Sequence, residues 1–413
     1  MSEELHNPDD LLSALLAQKP QRQTSNGRHR LPLYDIVRTI SGEIGWRPAG
    51  STAEARAAEY LVRIWQQADV WHWVDSFPTA LRSYPVVRAL AGISVVCAGA
   101  VFVSLWVALA CALIGTAIAY YTLTAERQPM PTAKTHSQNV LAIQKSARST
   151  MRRVVLCAPL DTFPSPVRHG LPRTHLLVAT IQLTMVVLAI LDPLPAFYGA
   201  AAMTLPIAWL VVLCTIYYLV MMVFDAIQRR PVRTAGAISH AGALAVLAGS
   251  FDEIAQLPHT EVWAVAMGAS ALDGGAIDLL QRYPFDPDST FFIGLAGIGR
   301  GTLAYALPSG YDRGRPVDAL LVEMASQLQA DTAIEPRLTH HLSFIRPFLR
   351  RQCRAIELTC LDHDGFVPLQ GSLHDTAAAI NPHILTRAVH IVVTMVRSID
   401  ALSVSPTQLH SKE

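Results

Sequence analysis

Asp362-His363-Asp364, with His374 and Asp375 following shortly after, sets imidazoles among carboxylates. Such a set holds a divalent cation when its side chains converge. His240, His169 and Asp161 are the other groups that could join it. Spacing does not bring them together, and loop Asp and His residues are commonly solvated or hydrogen-bonded. The stretch is therefore read as loop, with His240, Asp362, His363 and His374 kept as an alternative metal set. His340-His341 reads as a pair flanking a helix. Ser250, Ser270 and Ser309 lack the G-x-S-x-G setting of an activated serine. Gly294–Gly301 (GLAGIGRG) carries a GxxGxG-like run, and a phosphate cradle there would need a helix with an open N-terminus next. Gly301-Thr302-Leu303-Ala304 continues as strand instead. The six cysteines show no CxxC pairing and no disulfide-framework spacing, so they are expected to be reduced and buried.

The elements that would position these groups divide sharply by composition. The 413 residues allow one large domain or two modest ones, and a formal charge of +1 excludes nucleic acid as a bulk electrostatic partner. Hydrophobic residues make up 51% and charged residues 16%, an oily balance that collects in Val86–Thr124 and His175–Phe224. A single helix over the first block would rise about 55 Å against a hydrocarbon core of about 30 Å, so it folds better as a hairpin turning near Val103–Val107. In the second block Asp192-Pro193-Leu194-Pro195 is the turn. Gly92, Gly99 and Gly115 offer small faces for close helix packing, while Tyr120, Tyr121, Trp209, Tyr217 and Tyr218 read as interfacial or packing residues. The layout expected is a polar tail over 1–30, an α/β domain from 31–85, 128–172 and 232–405, transmembrane hairpins over 86–124 and 175–226, and a tail over 406–413.

Arg82, Arg88, Arg127, Lys134, Arg168, Arg173, Arg229, Arg230 and Arg233 all flank the ends joining the α/β domain, and the hairpin tips carry no Lys or Arg. The positive-inside rule then puts that domain and both termini on the cytoplasmic side of a plasma (inner) membrane. MSEELHNPDD has neither the basic nor the apolar region of a signal peptide. The expected partners are the bilayer and either other membrane subunits or further copies of the chain.

Within the α/β part, helix and strand patterns alternate. Ser51–Gln67 follows a Ser/Thr cap and has apolar residues at helical spacing; Ala241–Ile254, Ala276–Tyr283 and Pro382–Ser398 are further helices. Asn139–Ile143, Arg153–Ala158, Val262–Met267, Thr290–Leu295 and Arg354–Cys360 read as strands. This alternation implies helices on both faces of a largely parallel sheet.

The motifs in order resemble the M28 family of zinc aminopeptidases, which includes glutaminyl-cyclase-like members. Gly50-Ser51 with Ala53–Leu61 resembles the family's opening helix, Asn139–Ala142 its "NVIA" strand, and Val154–Thr162 (VVLCAPLDT) its "AHyDs" loop. Gly236–Ala245 (GAISHAGALA) is similar to "GAxDNaSGvA", Val262–Gly275 to the strand and Glu-Glu loop, and Phe292–Gly299 to "inlDmiG". Ser343–Phe348 and Gly371–Thr376 resemble "SDhapF" and "HtpxDT". The resemblance implies a mixed sheet of about eight strands sandwiched by helices, with two zinc ions at the strand ends. The family's ligands fall here on Pro159, Ser239, Ala271, Ala296 and Gly371, and its catalytic carboxylate on Ser270. Asp161 alone keeps its type, and in the family it supports a ligand. The expectation is a pseudoenzyme with no cofactor and no metal: a membrane-anchored binding or scaffolding subunit. The alternative is an active membrane-bound hydrolase with relocated ligands.

Overall fold

Ser51 starts the first long helix by accepting a hydrogen bond from Glu54 N at 3.1 Å, the N-cap arrangement that offsets an orphaned helix N–H. In the computed structural model that helix, α2 (Thr52–Gln67), follows α1 (Leu33–Arg38) and a π-helical turn over Thr39–Ile44. The structure describes residues 31–79, 85–124, 135–162, 171–191, 201–228, 233–307, 317–339 and 344–402. The two tails, His169, Asp192–Pro195, Ser309 and His340-His341 lie outside these. The other helices of eight residues or more are α3 (Pro85–Ala100), α4 (Leu105–Thr124), α5 (Leu171–Leu191), α6 (Ala201–Gln228), α7 (Gly242–Glu253), α8 (Gly274–Arg282), α9 (Ala319–Gln327) and α10 (Pro382–Asp400). The strands are β1 (Trp71–Thr79), β2 (Thr135–Gln144), β3 (Arg152–Pro159), β4 (Thr260–Met267), β5 (Thr290–Leu295), β6 (Thr302–Leu307), β7 (Glu335–Leu338) and β8 (Arg354–Leu361). The chain forms two compact units: Met1–Leu81, Pro129–Pro166 and Val232–Glu413 make the first, Arg82–Gln128 and Val167–Pro231 the second.

Unit 1 is built on one eight-stranded mixed sheet, ordered β1-β2-β4-β3-β5-β8-β6-β7. Its centre, β4-β3-β5-β8, is parallel, with β2 and β6 antiparallel on either side. Alternation along each central strand divides the core in two. Val154, Leu156 and Ala158 of β3 face one layer with α1, α2, α7, α9 and α10, while Val155 and Cys157 face Trp263, Phe292 and Phe348 on the other side. Each strand and helix predicted for unit 1 is present, β6 continues the strand read at Gly301–Ala304, and α1, α9, β1 and β7 are among the elements not foreseen. At Gly242 a Cβ would stand 1.9 Å from the Ile298 carbonyl oxygen, so α7 can start against the β5–β6 connection only with glycine there.

Unit 2 consists of α3–α6. Its interior is made of small residues, with Cys97, Ala100, Ala108 and Ala112 packed on Val186 and Val211, and Ala91, Ala119 and Ala179 around Tyr218. Gly115 packs on Ile93, whereas nothing lies within 4 Å of a Cβ placed at Gly92 or Gly99. Inside the bundle Ser94 Oγ bonds Thr215 Oγ1 (2.9 Å) and Gln182 Oε1 (3.1 Å). Tyr218 donates to the His175 carbonyl at 2.8 Å.

The hairpin turn falls at Val101–Ser104, a little before the position expected. The four helices are present, but among the described residues none is long and apolar enough to cross a membrane. The physical reason is clearest in α3: its 16 residues rise about 24 Å, short of a hydrocarbon core of about 30 Å, and exposed Arg88 shortens the apolar part further.

Candidate functional site

The carboxyl ends of parallel strands are where open α/β sheets place ligands. In unit 1 the ends of β3, β4 and β5 open onto one set of loops held by polar side chains. Arg47, fully buried, is the hub. Its Nε donates to Leu160 O, and its Nη1 to the carbonyls of Ile40 (2.9 Å), Gly45 (2.7 Å) and Ala235 (3.2 Å). Thr162 clasps the same residue, accepting from Arg47 N at 2.8 Å and donating its own N–H to Arg47 O at 2.7 Å. Arg47 Nη2 is buried with no hydrogen-bond partner among the described residues.

Three buried carboxyl groups surround this cation electrostatically. Asp161 accepts from Ser270 N at 2.9 Å, which fastens the loop after β4 to the end of β3. Asp375 accepts from Ile238 N at 2.6 Å and from the Ser239 hydroxyl, so it holds the π-helical turn Ala237–Ala241. Glu54 accepts from Gly50 N at 2.6 Å and Ser137 Oγ at 2.7 Å. Burial raises all three above the usual carboxylate range; Glu54, also pushed by Asp161, reaches about 8. Burial pulls Arg47 down to about 10, and burial with the Arg47 charge pulls His240 to about 3, so His240 is a neutral imidazole. Asn139 adds a second clamp, its Oδ1 accepting from Gly268 N at 3.2 Å and its Nδ2 donating to Gly275 O at 2.9 Å. Arg346 pairs with Asp273 at the far end of the same loop.

The positions singled out from the sequence come together only in part. Pro159 ends β3, Ser270 and Ala271 lie in the loop after β4, and Ala296 follows β5 with its N–H given to Leu358 O. Ser239 is joined to this group, since its carbonyl accepts from Gly297 N and its hydroxyl is committed to Asp375. Gly371 lies in the loop leading to Asp375 with φ +73°. Proline, alanine and glycine side chains offer no donor atom, and the Ser239 hydroxyl is already engaged. The residues present do not fit a pair of zinc ions, which need imidazole and carboxylate ligands with a carboxylate base.

The alternative set His240, Asp362, His363 and His374 does not assemble. His240 is buried in the π-helical turn, His374 is exposed, and the His363 side chain is 89% exposed against Asp364 at 3.3 Å. Asp362 Oδ1 is taken by Asp364 N and Phe366 N, a local loop turn. Among the described residues no three His, Cys, Asp or Glu side chains converge on a cation position. Ser250 is buried within α7, and the glycine run 294–301 leads into β6 rather than into a helix. All six cysteines are free thiols, with Cys97, Cys157, Cys214 and Cys360 buried and Cys111 and Cys353 half-buried. Arg47 and Glu54 went unnoticed in the sequence. The visible signal was two charged residues bracketing Gly50-Ser51 in a segment about to enter the core.

No family model and no curated protein matches the sequence. Solved structures do match the fold. A zinc aminopeptidase from Bacillus subtilis superposes with a TM-score of 0.54 at 11% identity, over 89% of this chain and 94% of its own. An aminopeptidase from Aneurinibacillus sp. strain AM-1 gives 0.52 at 12% over 89% and 93%. A glutaminyl cyclase from an Acidobacteriales bacterium gives 0.53 at 14% over 93% and 99%. At such identities the likeness is one of fold: unit 1 has the aminopeptidase-like α/β architecture shared by M28-type peptidases and glutaminyl cyclases.

Proposed function

We propose that this chain is a non-hydrolytic protein of aminopeptidase-like fold, held at a membrane by unit 2 and serving as a binding or scaffolding subunit. One observation carries the reading. The strand-end loops are held by a complete polar framework (Arg47, Asp161, Asp375, Asn139), yet each position that would face a metal ion there is Pro, Ser, Ala or Gly. A framework kept without its ligands fits a protein whose loops recognise something rather than cleave it. Membrane attachment is supported by the packing of unit 2, small and polar inside with large apolar side chains outside. The flanking arginines support a cytoplasmic location for unit 1 on the plasma (inner) membrane. The partners that follow are lipid and either other membrane subunits or further copies of the chain.

The test is metal analysis together with aminopeptidase assays on the detergent-purified full chain. Substoichiometric zinc and no turnover after zinc addition are expected. Tightly bound stoichiometric zinc with hydrolysis would sink the proposal. The relocated-ligand hydrolase has no observation in its favour, since its four residues stand apart in burial and position.

A further inference from the structure

We propose that the α3–α4 hairpin enters a lipid bilayer from one face and ends inside it, with the turn Val101–Ser104 lying in hydrocarbon rather than in the water beyond. This rests on the reading of unit 2 as the membrane anchor and goes further, because it states how deep the α3–α4 hairpin goes.

The turn has the wrong surface for water. Val103 is 88% exposed, Trp106 72% and Phe102 68%. No side chain from Ala89 to Tyr121 is charged, and Arg88, at the other end of the hairpin, is exposed. A loop emerging into solvent on a far side would expose an apolar tip there with nothing to cover it.

The turn also has the right backbone for lipid. Backbone N–H groups in hydrocarbon must be satisfied within the protein. Val101 N donates to Cys97 O (3.1 Å), Phe102 N to Gly99 O (3.3 Å), Val103 N to Ala100 O (3.0 Å) and Ser104 N to Ala100 O (2.7 Å). The four N–H donors of the turn itself are therefore satisfied without water. Cys97 Sγ closes the neck of the hairpin on Ala108 O at 3.4 Å.

Length decides between ending inside and crossing. From Arg88, the charge at the base, to Ala100 α3 rises about 18 Å, below the core thickness of about 30 Å, whereas the 20 residues of α4 rise about 30 Å, so Arg88 sets how deep the tip goes. Exposed Tyr120 and Tyr121 share the base of the hairpin with Arg88, as amphipathic rings and cations do at a headgroup layer. With the base there, the tip stops several ångströms short of the opposite interface.

The experiment uses the full chain in sealed membrane vesicles with a membrane-impermeant maleimide, comparing Val103→Cys and Phe102→Cys with the parent for added label. Ser149→Cys, in an exposed loop of unit 1, marks the accessible side. Positions 102 and 103 should gain no label from either side and gain it after detergent is added, while position 149 is labelled from one side. Labelling of 102 or 103 from the side opposite to 149 means a crossing, and labelling from the same side means a tip outside the bilayer. Either result overturns the proposal and leaves the anchor reading standing. Release of the protein by alkaline carbonate would instead overturn the anchor reading itself. Both substitutions are at exposed positions and leave packing untouched.

Discussion

The interior of unit 1 holds the largest side chains in the molecule, with Trp65, Trp263, Phe251, Phe291, Phe292 and Phe348 almost fully buried. The interior of unit 2 is mostly alanine, cysteine, serine and threonine, with Leu90, Val186, Val211 and Tyr218 set among them, and its Phe102, Trp106, Leu113, Leu188 and Trp209 lie outside. Both units draw on an apolar vocabulary, but they place it in opposite directions. Burial of large apolar groups drives folding when the surroundings are water, because each buried Leu or Phe side chain contributes about 1.5–3 kcal/mol. That drive disappears between helices in lipid, where close approach through small residues and a few hydrogen bonds takes over. The contrast thus bears on the solvent each unit is built for, which composition alone leaves open. It also separates two uses of buried polarity. Unit 1 concentrates charge at its strand ends, whereas the described interior of unit 2 has hydroxyls, amides and thiols but no charge.

The largest effect expected on this contrast is at the charged hub. Replacing Arg47 with Met removes the donor shared by Leu160, Ile40, Gly45 and Ala235 and leaves Asp161 and Asp375 without their nearest buried cation. Breaking a buried charge network from one side costs about 3–5 kcal/mol. Thermal unfolding followed by circular dichroism should show a drop of roughly 10 °C in the unit 1 transition. A shift of only a degree or two would mean that Arg47 is a bystander and that backbone bonds alone hold the loops.

A pH effect follows from the same cluster. The Glu54 carboxyl, ordinarily near 4.5, stands at about 8 in the fold, chiefly through burial and then through Asp161. At low pH the group is protonated both folded and unfolded, and the fold keeps its full stability. As pH rises from about 4.5 towards 8 the unfolded chain ionises first, so the stability of unit 1 declines across that window. Asp161, also raised, adds to the same slope. Glu54→Gln keeps one acceptor oxygen for Gly50 N and can donate its amide to Ser137 Oγ, and it should give a shallower dependence of Tm on pH. Parallel curves for parent and variant would show that Glu54 is ionised throughout.

Local pattern carried much of the fold and little of the site. The Ser51 cap, the alternation of Val154–Ala158 and the apolar stretches in Val86–Thr124 and His175–Phe224 are short-range signals, and helices or strands stand where they point. Edge strand β1 was harder to see, because Pro78 and the polar Asp75 and Ser76 blur its alternation. Arg47 reaches Ala235 across 188 residues and Asp375 reaches the turn at Ile238 across 137, so neither role could be read from neighbours in sequence. The order of the motifs located the strand-end loops, but which charges were buried there depended on contacts made only after folding. That no described helix is long and apolar enough to cross a membrane has a related reason. Composition over a block reports oiliness, whereas crossing also requires length between charges, and Arg88 reduces that length in α3.

A paired substitution asks whether unit 2 is turned inside out. Ala108 is fully buried, and Leu in its place would overpack the bundle at a cost of about 1–3 kcal/mol. Leu113 is half exposed, and truncating it to Ala should change stability in detergent by no more than about 0.5 kcal/mol. In an ordinary water-facing bundle the larger loss would come from the leucine. Thermal unfolding of both variants in the same micelles decides it, and a costlier Leu113→Ala would reverse the assignment of inside and outside.

The smallest effect lies at the uncharged polar contact inside unit 2. Gln182 accepts from Ser94, which also bonds Thr215, while Gln182 Nε2 is buried with no hydrogen-bond partner among the described residues. Gln182→Leu removes one interhelical hydrogen bond, about 0.6 kcal/mol on average between membrane helices, and at the same time removes an unsatisfied donor. The two changes oppose each other, so the variant should unfold within a degree or two of the parent in micelles. Ser94→Ala removes the shared hydroxyl and keeps the glutamine, leaving its acceptor without that donor, and should therefore cost more than Gln182→Leu. If the order were reversed and Gln182→Leu cost as much as Arg47→Met, the polar interior of unit 2 would be a binding network of the unit 1 kind. Small residues alone would then no longer account for how the bundle holds together.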